Sequence, residues 1–517
     1  MKKVVVSAVL IGVAIFSLVV VTSFGCGSPG AVGSGGSAGG SAGAPGIKLD
    51  GSAPGIKLDG SSVGGQGGQA SLHDCTNLEC RQSTCTRGPC TQPACTGGAA
   101  TRTTVSGTIY DPAGKVPLYN IAVYVPNADL EPIADGPTCD PCDPATGTSL
   151  LSGSPIAVTK TDTAGRFTLG LAGGDVPSGQ DVPLVIQVGK WRRQITLPSV
   201  TACQDNPLTD TDLARLPRKK DEGHIPKMAL TTGELDALEC LLRKVGIDES
   251  EFTPESGDGR VNFYAGGGGT SSYDASLNGG VAITPVHPGG GSPDWWDSVD
   301  NLKKYDIILH SCEGSQGSFS GTQQPKSAKS QQAREALQAF ADLGGRVFAS
   351  HWHVYWFEQG TPAFRSIATF NHRNGLSNPY TATIDTARTA LTDWMVNVGG
   401  STTRGQVVLR QNASSTTVDA VAGGNISQRW IYAADRNPQS VAYLSANTPV
   451  PPDGSGQCGK VVLSDLHVSA GAGTSSDQPN MPFPSGCVTT ELSPQEKVLE
   501  FMLFDIASCV APIQVIP

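Results

Sequence analysis

The chain has 517 residues, 64 of them glycine, with 16% charged and 6% aromatic residues and a net charge of -10. That length exceeds what one ordinary core holds, so two folded domains plus non-globular sequence are expected. The acidic balance, with no basic run longer than Arg218-Lys219-Lys220, argues against nucleic acid as a partner and against electrostatic attraction to anionic lipid.

Residues 1–26 open with Met-Lys-Lys, continue through an apolar run at 4–21 and end on Thr-Ser-Phe-Gly-Cys, with the small Gly25 before Cys26. This resembles a bacterial lipoprotein signal, which implies lipidation of Cys26 as the mature N-terminus. Ser23 and Phe24 depart from that pattern, and the apolar run is also long enough to be an uncleaved single-pass anchor. Either reading implies export and attachment to a membrane through the N-terminus, in the cell envelope at the outer membrane or cell surface.

Residues 27–71 are Gly, Ser, Ala and Pro around a repeated APGIKLDGS, at 44–52 and 53–61. Such composition cannot bury enough apolar surface to order itself and reads as a tether. In 72–98 a cysteine recurs every fifth residue, at Cys75, Cys80, Cys85, Cys90 and Cys95. Zinc sites group their cysteines in closer pairs, so an exported chain is expected to use these as a disulfide-stapled stalk, with metal binding as the alternative. Five is odd, so one sulfur pairs outside the segment or stays free.

From 101 to 205 apolar and polar residues alternate in short runs separated by turn residues, the period of half-buried strands. VSGTIYDPAGKVPLYNIAVYV followed by TKTDTAGRFTL, with Asp162, Gly165 and Phe167 in a T-D-x-x-G-x-F turn, resembles the carboxypeptidase regulatory-like domain. The resemblance implies an all-β transthyretin-like sandwich that carries no active site. An insertion bearing Cys139-Asp140-Pro141-Cys142 interrupts it. A loop-pinning disulfide is expected there, with Cys203 as a candidate partner.

Residues 227–511 change to strands alternating with helices: KMALTTG, the amphipathic ELDALECLLRKVG with Leu235, Leu238, Leu241 and Leu242 on one side, RVNFYAGGGG, YDIILHSCEG, SQQAREALQAFADLGG, RVFASHWH, SVAYLS, GKVVLSDLHV, and a final helix with Ser493 as N-cap and Glu496 three residues on. This texture predicts an α/β domain with a parallel sheet covered on both faces. GGRVFASH and CGKVVLSDLHV resemble the class I glutamine amidotransferase-like (flavodoxin-like) fold, in its trehalose-utilisation (ThuA-like) branch. The resemblance places His351 on the turn beyond a strand and His467 where amidotransferases carry a histidine. It departs from them in lacking a cysteine on that turn, so glutamine hydrolysis is not implied. Ser350 and His351 are adjacent on a strand and are expected to point to opposite faces.

Three readings of this edge stay open. His351, His353, Asp465 and His467 form an N/O set suited to a divalent metal, on the argument that i, i+2 imidazoles share a strand face. Without a metal, Trp352, Tyr355, Trp356 and Glu313 could line a sugar or peptide site. Or the histidines are hydrogen-bonded core residues. Cys312, at the end of the preceding strand, joins His351 and His467 as a candidate catalytic residue, against the alternative of a buried or disulfide-bonded thiol. The function expected is binding or processing of a carbohydrate or cell-envelope ligand. The alternatives are a non-catalytic surface scaffold and a metal-dependent hydrolase.

Overall fold

Asp162 shows how sequence becomes structure in the first folded segment. Its side chain accepts the backbone N–H groups of Ala164 and Arg166, and Gly165 supplies the positive φ of 73° that closes the turn between two strands. The computed structural model describes residues 95–96, 102–172, 174–314, 329–410, 415–424, 426–450, 456–468 and 477–513. The stretches read as a signal with Cys26 and as a tether, together with Cys75, Cys80, Cys85 and Cys90, lie outside the described residues. No helix among the described residues is long and apolar enough to cross a membrane.

The chain is rich in sheet and has few helices. The first seven strands are β1 (Thr104–Thr108), β2 (Ala122–Pro126), β3 (Pro155–Lys160), β4 (Arg166–Leu169), β5 (Gly179–Val188), β6 (Trp191–Val200) and β7 (Asp205–Leu208). They form a three-stranded sheet of order β4-β1-β7 and a four-stranded antiparallel sheet of order β3-β2-β5-β6. Val105, Phe167 and Leu169 of the smaller sheet share one core with Val123, Val125, Leu184 and Ile186 of the larger.

A 13-stranded sheet follows. Its first part comprises β8 (Met228–Thr231), β9 (Phe252–Thr253), β10 (Val261–Ala265), β11 (Thr284–Pro285), β12 (Ile307–His310) and β13 (Arg346–Ser350). The second adds β14 (Ala368–Arg373), β15 (Tyr380–Ile384), β16 (Gln406–Leu409), β17 (Thr416–Val421), β18 (Ser427–Ala433), β19 (Ser440–Thr448) and β20 (Gly459–Ser464). Along β10-β8-β12-β13-β20 every neighbour is parallel. Beyond β20 the order β19-β18-β15-β16 is antiparallel, which corrects the expectation of a parallel sheet throughout: SVAYLS, in β19, runs against β20. An apolar run marks a buried strand without giving its direction.

Both faces of the parallel half are covered. Met228, Leu230, Phe263, Ile307 and Leu309 pack with Leu238, Leu241 and Leu242 of α1 (Leu238–Val245) and with Val498 and Met502 of the C-terminal helix (Pro494–Ala507), in the same core as the first two sheets. The alternate residues Ala229, Ile308, Val347 and Ala349 pack under Ala333, Leu337 and Phe340 of α2 (Gln331–Asp342). Leu235 precedes α1 and is exposed, so it is not part of that helix's buried side. The final helix has the capping box read from Ser493 and Glu496. Gly344 ends α2 with φ 107°, and a Cβ there would come within 2.2 Å of the Thr138 carbonyl oxygen. Gly344 thus lets the insertion lie against the helix end at Thr138, while Gly345 makes room for the Phe340 ring.

Four disulfides occur among the described residues. Cys95 pairs with Cys203, so Cys203 does not pin the insertion. Cys139 and Cys142 instead reach Cys458 and Cys509, 319 and 367 residues away, and Cys240 pairs with Cys487. Pairings across such separations follow from the tertiary fold, which spacing in the chain does not encode.

Candidate functional site

The order of the parallel strands reverses at β8. The chain passes from β8 to β10 on one side, then crosses to β12, β13 and β20 on the other. Crevices in open α/β sheets form outside the carboxyl ends of strands at such a reversal. The sequence candidates lie there, in two groups.

The first group takes one residue from beyond the carboxyl end of each of three adjacent strands: Cys312 after β12, His351 after β13 and His467 after β20. Their donor atoms all lie within 4.8 Å of one another. The Cys312 sulfur is 3.8 Å from His351 Nδ1, and the His351 and His467 rings are 5.0 Å apart. All three are buried, at 0%, 4% and 1% exposure. Cys312 is the free cysteine among the described residues. Burial pushes its thiol up from its ordinary value and lowers His351 to about 4 and His467 well below the usual imidazole range, so all three are neutral near pH 7. Neither ring nitrogen of His467 has a hydrogen-bond partner among the described residues.

His351 has φ 40°, a left-handed conformation uncommon for a residue with a side chain and worth about 1–3 kcal/mol of strain. The strand therefore ends at Ser350, and residues His351–Val354 form a short 3-10 turn. This corrects the expectation that RVFASHWH is one strand. His351 and His353 do not share a strand face, because the left-handed residue breaks the alternation on which that argument rested.

The metal set read from the sequence is accordingly divided. His351 and His467 stay together, while His353 stacks on His310 with ring centroids 4.8 Å apart and accepts Trp356 Nε1–H at 3.1 Å. Asp465 is not beside the imidazoles. Its carboxylate accepts the Thr417 N–H at 2.7 Å and the Thr417 hydroxyl at 3.0 Å. That clamp holds the start of β17, and Ser415, two residues earlier, meets His351 Nε2 at 2.9 Å.

His310 and His353 belong to the second group. Glu313, read as a ligand contact, is fully buried, accepts the Gly267 N–H at 2.9 Å and pairs with buried Lys329 at 3.1 Å. Lys329 lies over the Trp296 ring at 4.2 Å. Trp356 is buried in the same packing, so it offers no face to a ligand. Trp352 and Tyr355 are half-buried. Trp352 stacks on His372 at 5.2 Å beside His351, and Tyr355 lies under Arg334.

Sequence reasoning missed Asp236. This fully buried carboxylate accepts the Ser350 hydroxyl on one oxygen and the Val468 N–H, at 2.8 Å, on the other. It thereby ties together the residue before His351 and the residue after His467. Burial raises it to about 7. Its only signal in the sequence is position, a few residues past the Thr-Thr-Gly that ends β8. A cleft lined by Lys190, Asp306 and Arg346 opens at the opposite, amino ends of β12 and β13. Lys190 pairs with Asp306 at 2.5 Å and Arg346 donates to the carbonyl oxygens of Gly344, Cys458 and Ser508, so these side chains are already engaged.

No protein-family model and no curated protein matches the chain. Among solved structures, a ThuA-like protein from Bacteroides uniformis ATCC 8492 is similar at 10% identity, over 46% of this chain and 80% of that one, with a TM-score of 0.22.

Proposed function

We propose that the chain is an exported protein, held at a membrane by its N-terminus with Cys26 as the lipidated residue, that binds or processes a carbohydrate or other cell-envelope ligand at the carboxyl edge of its parallel strands. In this reading residues 101–205 are a transthyretin-like accessory sandwich and residues 227–511 a ThuA-like, amidotransferase-like domain. One observation carries the site: three adjacent parallel strands each deliver one chemically versatile side chain to a single point, where His467 is buried with both ring nitrogens unpartnered. An unpartnered buried polar group costs about 1–3 kcal/mol and is retained where something else uses it. The four disulfides support an oxidising compartment. Half-buried Trp352, its ring 5.1 Å from that of His351, flanks the point as a stacking face for a sugar.

Burial of all three side chains favours a second reading, a surface scaffold that keeps the edge without using it. Retention of soluble muropeptides by the full chain separates the two. The wild type retains them and His467→Ala does not if the edge is a site. Equal retention by both, or by neither, supports the scaffold.

A further inference from the structure

We infer that Cys312, His351 and His467 hold one zinc ion, and that this ion presents the edge's open position to an oxygen donor of the ligand. The inference rests on the reading of this edge as a binding or processing site and names its chemistry. One thiolate and two imidazoles are a donor set for zinc, and they lack the carboxylates and carbonyls that magnesium and calcium require. In tetrahedral zinc sites the donors stand about 3.5 Å apart, given Zn–S near 2.3 Å and Zn–N near 2.0 Å. The 3.8 Å from Cys312 Sγ to His351 Nδ1 is close to that spacing, and the 4.8 Å limit on the group leaves a contraction within reach of side-chain rotation.

The surroundings suit an ion better than a packed core. When His351 Nε2–H donates to Ser415 Oγ, the Nδ1 lone pair is left facing Cys312, which is how a ligating imidazole is commonly oriented by the groups around it. His351 is held in its left-handed conformation between Ser350, fixed by Asp236, and the turn that follows. His467 has both nitrogens free to ligate. No fourth His, Cys, Asp or Glu among the described residues joins the group, which leaves a position open as in sites where zinc meets its substrate. On binding, the Cys312 thiol releases its proton to water and the two neutral imidazoles donate lone pairs. The site then carries a net single positive charge, suited to a carboxylate or carbonyl oxygen.

Cobalt is the probe. Full chain stripped with a chelator and titrated with Co2+ is expected to develop a thiolate-to-cobalt charge-transfer band that saturates at a single equivalent and is displaced by Zn2+. Cys312→Ser is expected to lose that band while far-ultraviolet circular dichroism stays that of the wild type. Ser415→Ala, which leaves all three donors in place, is expected to weaken binding about tenfold or more. A folded wild type that shows no such band, or a band that survives Cys312→Ser, overturns the inference. Muropeptide retention on the same samples separates the two claims. Ion binding without retention contradicts the proposed function alone, and retention by the metal-free chain overturns the ion's contact with the ligand.

Discussion

Two groups of histidines stand at the same sheet edge, and they are built differently. His310 and His353 stack on each other, each engages a neighbour through one nitrogen, and they lie against the fully buried Glu313–Lys329 pair and the Trp296 and Trp356 rings. His351 and His467 face a free thiol. One sits on strained backbone, and the other has no hydrogen-bond partner among the described residues. His310 and His353 each leave Nε2 unpartnered among the described residues as well, so the contrast lies in geometry: their rings are stacked and tied to Thr231 and Trp356, whereas in the first group a thiol and two imidazoles converge on one point.

Breaking the second group should cost the most stability. Lys329→Ala leaves the Glu313 carboxylate buried without its counter-ion, and an unfolding free energy lower by about 3–5 kcal/mol is expected in urea denaturation. A change below about 1 kcal/mol would mean the pair does not hold this side of the edge.

A sharper contrast comes from matched substitutions two residues apart. His353→Ala removes the acceptor of Trp356 Nε1 and should destabilise by about 1–3 kcal/mol. His351→Gly relieves the left-handed strain but loses the Ser415 contact and the packing of a buried ring on Trp352 and His467, so it should cost about 1–3 kcal/mol, less than His351→Ala, while ligand retention is lost. If His351→Gly proves less stable than His351→Ala, the backbone at 351 is not strained.

The packing behind the first group also sets a pH dependence. Burial raises Asp236 to about 7 and Glu239 to about 8, from ordinary values of 3.8 and 4.5. Near neutrality the folded chain therefore keeps protons that the unfolded chain has lost, and stability falls as pH rises through these values. Between about pH 7 and pH 9 the two groups together should remove roughly 1–2 kcal/mol, visible as a falling Tm. Asp236→Asn should flatten part of that slope. A Tm that rises over this interval would contradict the burial assigned to both carboxyls.

The smallest effect belongs to the rim. Trp352→Ala gives up a stacked contact with His372 and should cost about 1 kcal/mol or less in stability, yet it should reduce muropeptide retention measurably. Unchanged retention would remove Trp352 from the ligand surface.

What could be read from the residues was local. Period-two alternation marked β1 through β6, the glycine pair marked the end of α2, and Ser493 with Glu496 marked the start of the last helix. Cys312, His351 and His467 stood out because each follows an apolar strand, and adjacency of those strands brings them together. What could not be read depends on geometry that short sequence patterns do not encode. The left-handed backbone at His351 carries no glycine to announce it. Asp236 joins two strand ends across 114 and 232 residues, and the reversal of β19 is a choice of direction that an apolar run leaves open. Of His351, His353, Asp465 and His467, the structure sets two apart for different reasons: His353 because β13 ends at Ser350, and Asp465 because its carboxylate is taken up by Thr417.

Metal content compared across the two groups tests the division most directly. Full chain purified without chelator, its His353→Ala variant and its His467→Ala variant would be assayed for zinc per chain. The account predicts about one ion in the first two and none in the third. Equal zinc in all three, or loss only in His353→Ala, would contradict the assignment of Cys312, His351 and His467 as the working site.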